Sequence, residues 1–174
     1  KNHTLPLKRE KLRSIAVIGP NADSVAALEG NYYGTASRYI TPLEGIADAV
    51  GETVRVYYSK GCHLCRDAES VHRDEADDRI NEAVSVAELA DVAVLCLGLD
   101  ATIEGEEGDP SNPFASGDRR NLNLPGMQQE LLERVCAVGK PVILVLLCGS
   151  ALSVTWADEH VDAILQAWYP GAQG

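Results

Sequence analysis

The chain has 174 residues, 45% hydrophobic and 24% charged, with 26 acidic side chains against 15 basic ones for a formal net charge of -11. That length suits one domain on the usual scale of roughly 100–200 residues each, and that apolar fraction suits a packed core rather than a disordered chain. The acidic balance argues against nucleic acid, which needs a basic footprint, and against an anionic membrane surface; the longest apolar run, 141–149, is too short beside the roughly 18 residues of a membrane span, and 1–10 is polar with no apolar secretory segment.

The first element is a strand over Ser14–Ile18 (SIAVI), stopped by Gly19-Pro20-Asn21. A helix over 41–50 follows, with Thr41 as N-cap and Pro42 at the first helical position. Residues 53–58 alternate and are rich in Val and Tyr, which predicts a second strand. Over 75–88 the apolar Ile80, Ala83, Val84 and Ala87 share one helical face, with carboxylates outside. VAVLCL over 92–97 is a strand that stops at Gly98. A third helix over 125–138 carries Met127, Leu131, Leu132 and Val135 on one face and stops at Gly139. Two further strands are predicted: Val142–Leu147 (VILVLL), and 163–168 (AILQAW) before Pro170-Gly171. Apolar runs bounded by Gly and Pro fit strands buried on both faces. Strands alternating with helices predict an α/β fold with a mostly parallel sheet, flanked by helices and joined by right-handed crossovers. The chain shows no internal repeat and no low-complexity segment, so 1–174 reads as a single α/β sandwich domain.

Five cysteines, at 62, 65, 96, 136 and 148, do not make a disulfide framework in a chain this long. Cys96 and Cys148 lie in apolar runs and Cys136 near a helix end, which reads as small buried hydrophobes. Cys62 and Cys65 form CxxC within GCHLC. An ordinary loop, a redox pair and a zinc site all fit that spacing, although zinc needs two more ligands.

The connection from the end of the third strand to the third helix, 98–124, has no periodicity. Loops that long are uncommon in compact domains unless they are used, and this one leaves the carboxyl end of a strand, where open α/β sheets place ligand sites. It carries Asp100, Glu104, Glu106, Glu107 and Asp109 with no Lys or Arg among them. Crowded carboxylates raise one another's pKa, and a carboxyl kept protonated near neutral pH serves as a general acid. Gly105 and Gly108 give the backbone room to bend, and Arg119 and Arg120 are placed to anchor the loop by charge-assisted hydrogen bonds. A solvated acidic loop is the plain alternative. A calcium loop is another, though the spacing departs from the EF-hand pattern.

Other chemistries find less support. GPNADSVAALEG after the first strand has neither GxGxxG nor GxxxxGK[ST], so phosphate cradling is not indicated. Gly149-Ser150-Ala151 is not GxSxG, and His3, His63, His72 and His160 are scattered.

Several segments together resemble a known family: KLRSIAVIGPNADS at 11–24, GNYYGTASRYITPLEGI at 30–46, TIEGEEGD at 102–109, GDRRNLNLPGMQQELL at 117–132 and AWYPGAQG at 167–174. They are similar, in order and across essentially the whole chain, to the second domain of family 3 glycoside hydrolases. The GLD-TIE wording and the LPG-Q pattern stand nearest to β-xylosidases and related β-glucosidases, and Leu5-Pro6-Leu7 resembles the element entering that domain.

The resemblance implies a retaining β-glycosidase built from two domains. An N-terminal barrel, to which nothing here corresponds, would hold the nucleophilic Asp. This α/β sandwich would lend a Glu as general acid/base, so the chain reads as an excised or truncated second domain, inactive alone. The related pattern E-x-E-G-x-D-R matches its second Glu to Glu106, with Glu107 and Glu104 as alternatives because DPSNPFAS lengthens the stretch before Asp118-Arg119. Asp118 and Arg119 match the D-R element, and their implied role is to position the loop. Asn21, Tyr32 and Tyr33 follow the first strand and could face a domain interface. The implied partners are a β-linked oligosaccharide or aryl glycoside and the barrel domain, without nucleic acid, membrane, cofactor or metal. A non-catalytic carbohydrate-binding or scaffolding module that keeps the fold is the alternative from another class.

Overall fold

A computed structural model describes residues 1–65, 79–105, 119 and 121–174. Among these, five strands form one parallel sheet: β1 (Ser14–Ile18), β2 (Arg55–Ser59), β3 (Val92–Gly98), β4 (Val142–Leu147) and β5 (Ala163–Gln166), in the order β2-β1-β3-β4-β5. Every neighbouring pair runs parallel, with Ile15 against Val56 and Val92, Leu95 against Leu144, and Leu144 against Ile164. The parallel α/β expectation is therefore met, and the strand order shows a reversal between β1 and β3.

Four α-helices flank the sheet among the described residues: α1 (Pro42–Val50), α2 (Ile80–Leu89), α3 (Gln128–Cys136) and α4 (Thr155–His160). On one face Ala16, Ile18, Leu95, Leu97, Leu144 and Leu146 pack with Ile80, Ala83 and Ala87 of α2, Leu131, Leu132 and Val135 of α3, and Ala157 of α4. On the other, Ile15, Val17, Val94, Cys96 and Ile143 pack with Leu43, Ile46 and Val50 of α1 and with Leu5, Leu7 and Leu12 of the N-terminal segment. Successive strand residues point to opposite faces, so the unbroken apolar runs of β1 and β3 supply both layers. With right-handed crossovers, α1 and α2 must take opposite faces because the chain steps outward to β2 and then back past β1 to β3.

The helix start at Thr41 is as expected. Its Oγ accepts from the Glu44 N–H at 3.3 Å, with Pro42 next in line, and the Thr41 hydroxyl donates to Asp23 at 2.9 Å. Other boundaries move. Residues 51–53 form a 3-10 turn, so β2 begins at Arg55 and runs to Ser59. The strand expected over 163–168 ends at Gln166, because Trp168 takes a positive φ of 60° that no strand accommodates. Helix α3 starts at Gln128 rather than 125, since residues 125–127 form a turn that Gln128 closes onto the Pro125 carbonyl at 3.3 Å. Helix α2 begins at Ile80, and the expected start over 75–78 lies outside the described residues. The six-residue α4 was not anticipated: at under two turns it is too short to display a period.

Three cysteines behave as small hydrophobes. Cys96 and Cys148 are buried and Cys136 half-buried, and burial pushes the Cys96 thiol up to about 12 and the Cys136 thiol up to about 11. Of the CxxC pair, Cys62 is buried and Cys65 half-buried. Among the described residues, no group of three or more His, Cys, Asp or Glu is arranged to hold a metal ion, and no helix is long and apolar enough to cross a membrane.

Candidate active-site loop

The strand-order reversal opens the carboxyl edge between β1 and β3, the position where doubly wound sheets bind ligands. All five strands are parallel, so the segments after β1, β2, β3, β4 and β5 all leave the sheet at this edge. The β3 connection carries the carboxylates, and its root is tightly built. Gly98 has φ +136°, and a Cβ there would lie 2.1 Å from the Leu147 carbonyl oxygen, so only glycine lets β3 close on β4. The Gly98 N–H donates to Gln128 Oε1 at 2.8 Å, and Gln128 Nε2 donates to the carbonyls of Gly98 at 2.9 Å and Leu64 at 2.6 Å. Fully buried Gln128 satisfies the strand end from both sides, which gives the Gln of the LPG-Q pattern a physical role.

Beyond Gly98 the loop is pinned residue by residue. The Leu99 N–H donates to Leu147 O at 2.8 Å, and its carbonyl accepts from Asn21 Nδ2 at 2.7 Å. Asp100 is buried and accepts from the Thr102 N–H and hydroxyl at 2.9 and 2.5 Å, making a local turn. The Ile103 and Glu104 N–H groups return to the Asp100 carbonyl, each at 3.1 Å. Asn31, from the GNYYG segment, donates through Nδ2 to the Glu104 carbonyl at 3.0 Å. Asn21 is thus a buried anchor rather than an interface residue, whereas Tyr32 and Tyr33 are exposed.

Glu104 is half-buried, and its carboxylate gathers several donors. Oε2 accepts from the Gly149 N–H at 3.0 Å and from the Tyr169 hydroxyl, with the Ser150 hydroxyl as a further donor and the Arg119 charge nearby. Partial burial pushes this carboxyl up, but the donors and Arg119 outweigh that, so it sits below the ordinary glutamate value. The crowding expected to raise carboxyl pKa values along this loop is therefore reversed at Glu104. Tyr169 is pushed the other way, by its burial and by the carboxylate it donates to.

Arg119 lies on the far side of the acidic segment and reaches the same place. Its Nη2 donates to Ser150 Oγ at 2.8 Å and to the Ala151 carbonyl at 2.7 Å. Of the site residues expected from sequence, Glu104 and Arg119 are thus brought together over residues 149–151. Glu106, Glu107 and Asp118 lie outside the described residues, as do Asp109 and Arg120. Tyr169 and Asn31 carry no charge or catalytic motif of their own, and Gly149 and Ser150 stand out in sequence only as part of a Gly-Ser-Ala that is not GxSxG. Two of them, Tyr169 and Asn31, sit in the AWYPG and GNYYG segments that carried the resemblance, which is the one signal that pointed toward them.

The C-terminal segment is positioned by backbone bonds: the Gly171 N–H donates to Leu28 O at 2.8 Å and the Ile40 N–H to Ala172 O at 2.8 Å. These lay the stretch after β5 along the loop after β1 and turn Tyr169 toward Glu104. A Cβ on Gly149 would sit 3.0 Å from the Tyr169 ring and 3.4 Å from the Glu104 carboxylate, so the turn after β4 fits closely under both.

Fold and site define an α/β sandwich domain whose carboxyl edge carries an anchored acidic loop. Residues 1–174 match the model of the glycosyl hydrolase family 3 C-terminal domain, and the chain belongs to that family. It is 38% identical to β-D-xylosidase 3 of Arabidopsis thaliana over 98% of this chain and 20% of the relative. It is 35% identical to the periplasmic β-glucosidase of Salmonella typhimurium over 98% of this chain and 23% of that protein. The solved structure of a β-glucosidase from Erythrobacter marinus superposes with a TM-score of 0.79 at 33% identity, over 98% of this chain and 24% of the other. The chain spans about a fifth of the length of the curated relatives it matches.

Proposed function

We propose that this chain works as the second domain of a retaining β-glycosidase and supplies the general acid/base from the loop after β3. The nucleophile, an Asp, would come from a barrel domain, and a β-xyloside or β-glucoside is the substrate class. Glu106 is the proposed acid/base, with Glu107 next. The observation that carries this reading is the placement of the acidic loop: it leaves the switch-point strand β3, its root is pinned through Asn21, Asp100 and Asn31, and the carboxylate of Glu104 at its near end is already committed. A carboxyl held below its ordinary pKa by several donors is poorly suited to donate a proton near neutral pH, which favours Glu106 and Glu107 over Glu104.

Retaining glycosidases hold two carboxyls roughly 5–5.5 Å apart. One attacks the anomeric carbon while the other protonates the departing oxygen. The second then takes a proton from water, which attacks the glycosyl-enzyme with net retention. A chain that contributes only the acid/base lacks covalent catalysis, so this domain alone is expected to leave aryl β-xylosides and β-glucosides intact.

The test is Glu106→Ala in the full-length enzyme. Cleavage of substrates with poor leaving groups should fall by about 10²–10⁴-fold, the range of general acid–base catalysis. Substrates with good leaving groups should still pass the glycosylation step, and azide should restore turnover by forming a glycosyl azide of retained configuration. Activity on poor leaving groups within about twofold of the parent would sink the assignment, and a binding or scaffolding module would show neither leaving-group dependence nor azide rescue.

A further inference from the structure

Glu104 and Arg119 flank the acidic segment on its two sides, and both end on the same three residues. Glu104 takes the Gly149 N–H at 3.0 Å, and Arg119 takes the Ser150 hydroxyl at 2.8 Å and the Ala151 carbonyl at 2.7 Å. Ser150 lies between them, accepting from Arg119 and donating toward Glu104. Tyr169, from beyond β5, closes the arrangement with its hydroxyl on the carboxylate. Residues 149–151 are the turn after β4, a central strand of the sheet, so both flanks of the loop are referred to a rigid element.

We propose that Glu104, with Ser150 and Tyr169, is a positioning unit for the acid/base: together with Arg119 it fastens both flanks of the acidic loop to the turn after β4 and so sets where the catalytic carboxyl stands. This rests on the reading of Glu106 or Glu107 as the acid/base and assigns Glu104 no contact with substrate. The ionised state is what the unit needs. A carboxylate accepts from Gly149, Ser150 and Tyr169 at once and faces the Arg119 charge, whereas a protonated carboxyl would have to turn a donor toward groups that already donate. Of the neighbouring groups that could also titrate, buried Cys148 is pushed up by burial, and Tyr169 is pushed up by burial and by Glu104 itself, so both stay neutral beside the carboxylate. Misplacing a catalytic group by about 1 Å costs up to about 10²-fold in rate, so a unit that acts only through position has a measurable effect.

The experiment compares Glu104→Ala, Glu104→Gln and Tyr169→Phe in the full-length enzyme, with Glu106→Ala and Glu107→Ala alongside. Each is assayed on aryl β-xylosides and β-glucosides of graded leaving-group ability, over a pH range and with and without azide, with circular dichroism to confirm folding. Glu104→Ala should lower kcat on poor leaving groups by about 10–10²-fold while KM stays within about threefold. Glu104→Gln should recover part of that loss, since its amide oxygen still accepts from Gly149. Tyr169→Phe, which removes one hydroxyl and leaves the core intact, should show the same direction with a smaller size. In all three the basic limb of the pH–rate profile should persist, and azide should not rescue, because the acid/base carboxyl is still present.

Loss of the basic limb together with azide rescue in Glu104→Ala would overturn the proposal and make Glu104 itself the acid/base. Unchanged rates in Glu104→Ala and Tyr169→Phe would also overturn it, while leaving the acid/base reading intact if Glu106→Ala behaves as an acid/base variant. If neither Glu106→Ala nor Glu107→Ala shows leaving-group dependence, the underlying reading fails, whatever the Glu104 variants do.

Discussion

The two ends of the sheet each carry a carboxylate held below its ordinary pKa, but they are held by different means. At the amino end, Asp91 accepts from the N–H groups of Arg13 and Ser14 at 2.8 and 3.0 Å, joining the entries of β1 and β3. The hydrogen bond from Arg13 is the largest cause of its lowered pKa. Asp162 makes a similar backbone contact two pairs over, taking the Val142 N–H at 2.9 Å where β5 enters beside β4. Both lie immediately before a strand and staple neighbouring backbones. At the carboxyl end, Glu104 gathers one backbone N–H together with the side chains of Ser150, Tyr169 and Arg119 from three separate segments. Backbone donors are available at the strand entries of any parallel sheet. Side-chain donors converging on a loop depend on the particular residues present. The amino end is therefore fastened by groups that any parallel sheet offers, and the carboxyl end by side chains particular to this sequence. The cavity at the amino end, about 550 Å³ between Arg13, Glu52, Arg55 and Asp91, carries none of the residues expected to do chemistry.

This difference is breakable by experiment. The largest effect should separate Glu104→Ala from Asp91→Ala in activity. The first should cost activity in the full-length enzyme as set out above, assayed where the variant stays folded, in addition to the stability lost with its contacts to Gly149 and Tyr169. The second leaves the Arg13 and Ser14 N–H groups without their acceptor and should cost about 1–3 kcal/mol of stability, with kcat on every aryl glycoside preserved. Chemical denaturation of the domain measures the stability, and a large activity loss from Asp91→Ala would show that the two ends are not independent.

A smaller effect should appear with pH. Asp91 and Glu104 both titrate lower in the folded state than their ordinary values of 3.8 and 4.5. Between the folded and unfolded pKa the unfolded chain therefore binds more protons, and stability rises with pH there. The contribution of each carboxylate is fully present above those ordinary values and is lost as pH falls through the lower folded ones. Denaturation midpoints should drop below about pH 4.5, and Asp91→Asn should flatten the most acidic part of that curve. A midpoint that rose on acidification would contradict the assignment of either carboxylate.

The smallest effect is expected at Arg13. Its guanidinium lies 3.6 Å from Asp91, but the side chain is 91% exposed. Surface ion pairs of this kind contribute about 0–1 kcal/mol, so Arg13→Ala should change stability by less than about 0.5 kcal/mol and lose even that at high salt. A larger loss would mean that the guanidinium, and not only the Arg13 backbone, fastens the amino end.

Much of the fold was legible because its signals are local. SIAVI and VILVLL are strands with the boundaries expected from their apolar runs, and Thr41-Pro42 starts a helix where an N-cap and a first-position proline predict one. Legibility fell at the edges of the sheet. The second and fifth strands are partly exposed, so the burial that marks a central strand is weaker in them, and the fifth ends where Trp168 turns left-handed. At the candidate site, the acidic loop and Arg119 were visible as charge and spacing. The state of Glu104 was not, because charge counted along the chain sees five carboxylates repelling one another and misses donors that arrive from elsewhere.

The sequence by itself determined the class: alternating apolar strands and amphipathic helices can bury their faces only as a layered parallel sheet, and motifs spread over the chain identified the family. Tertiary structure alone decided what surrounds the carboxylate at the root of the loop. Tyr169 stands 65 residues from Glu104 and Gly149 stands 45 away. Only folding brings them together, when strands that are neighbours in space but not in sequence end at the same edge. Local propensity acts over a few residues, whereas the ionisation of a buried carboxyl depends on every donor within hydrogen-bonding reach, wherever in the chain it originates.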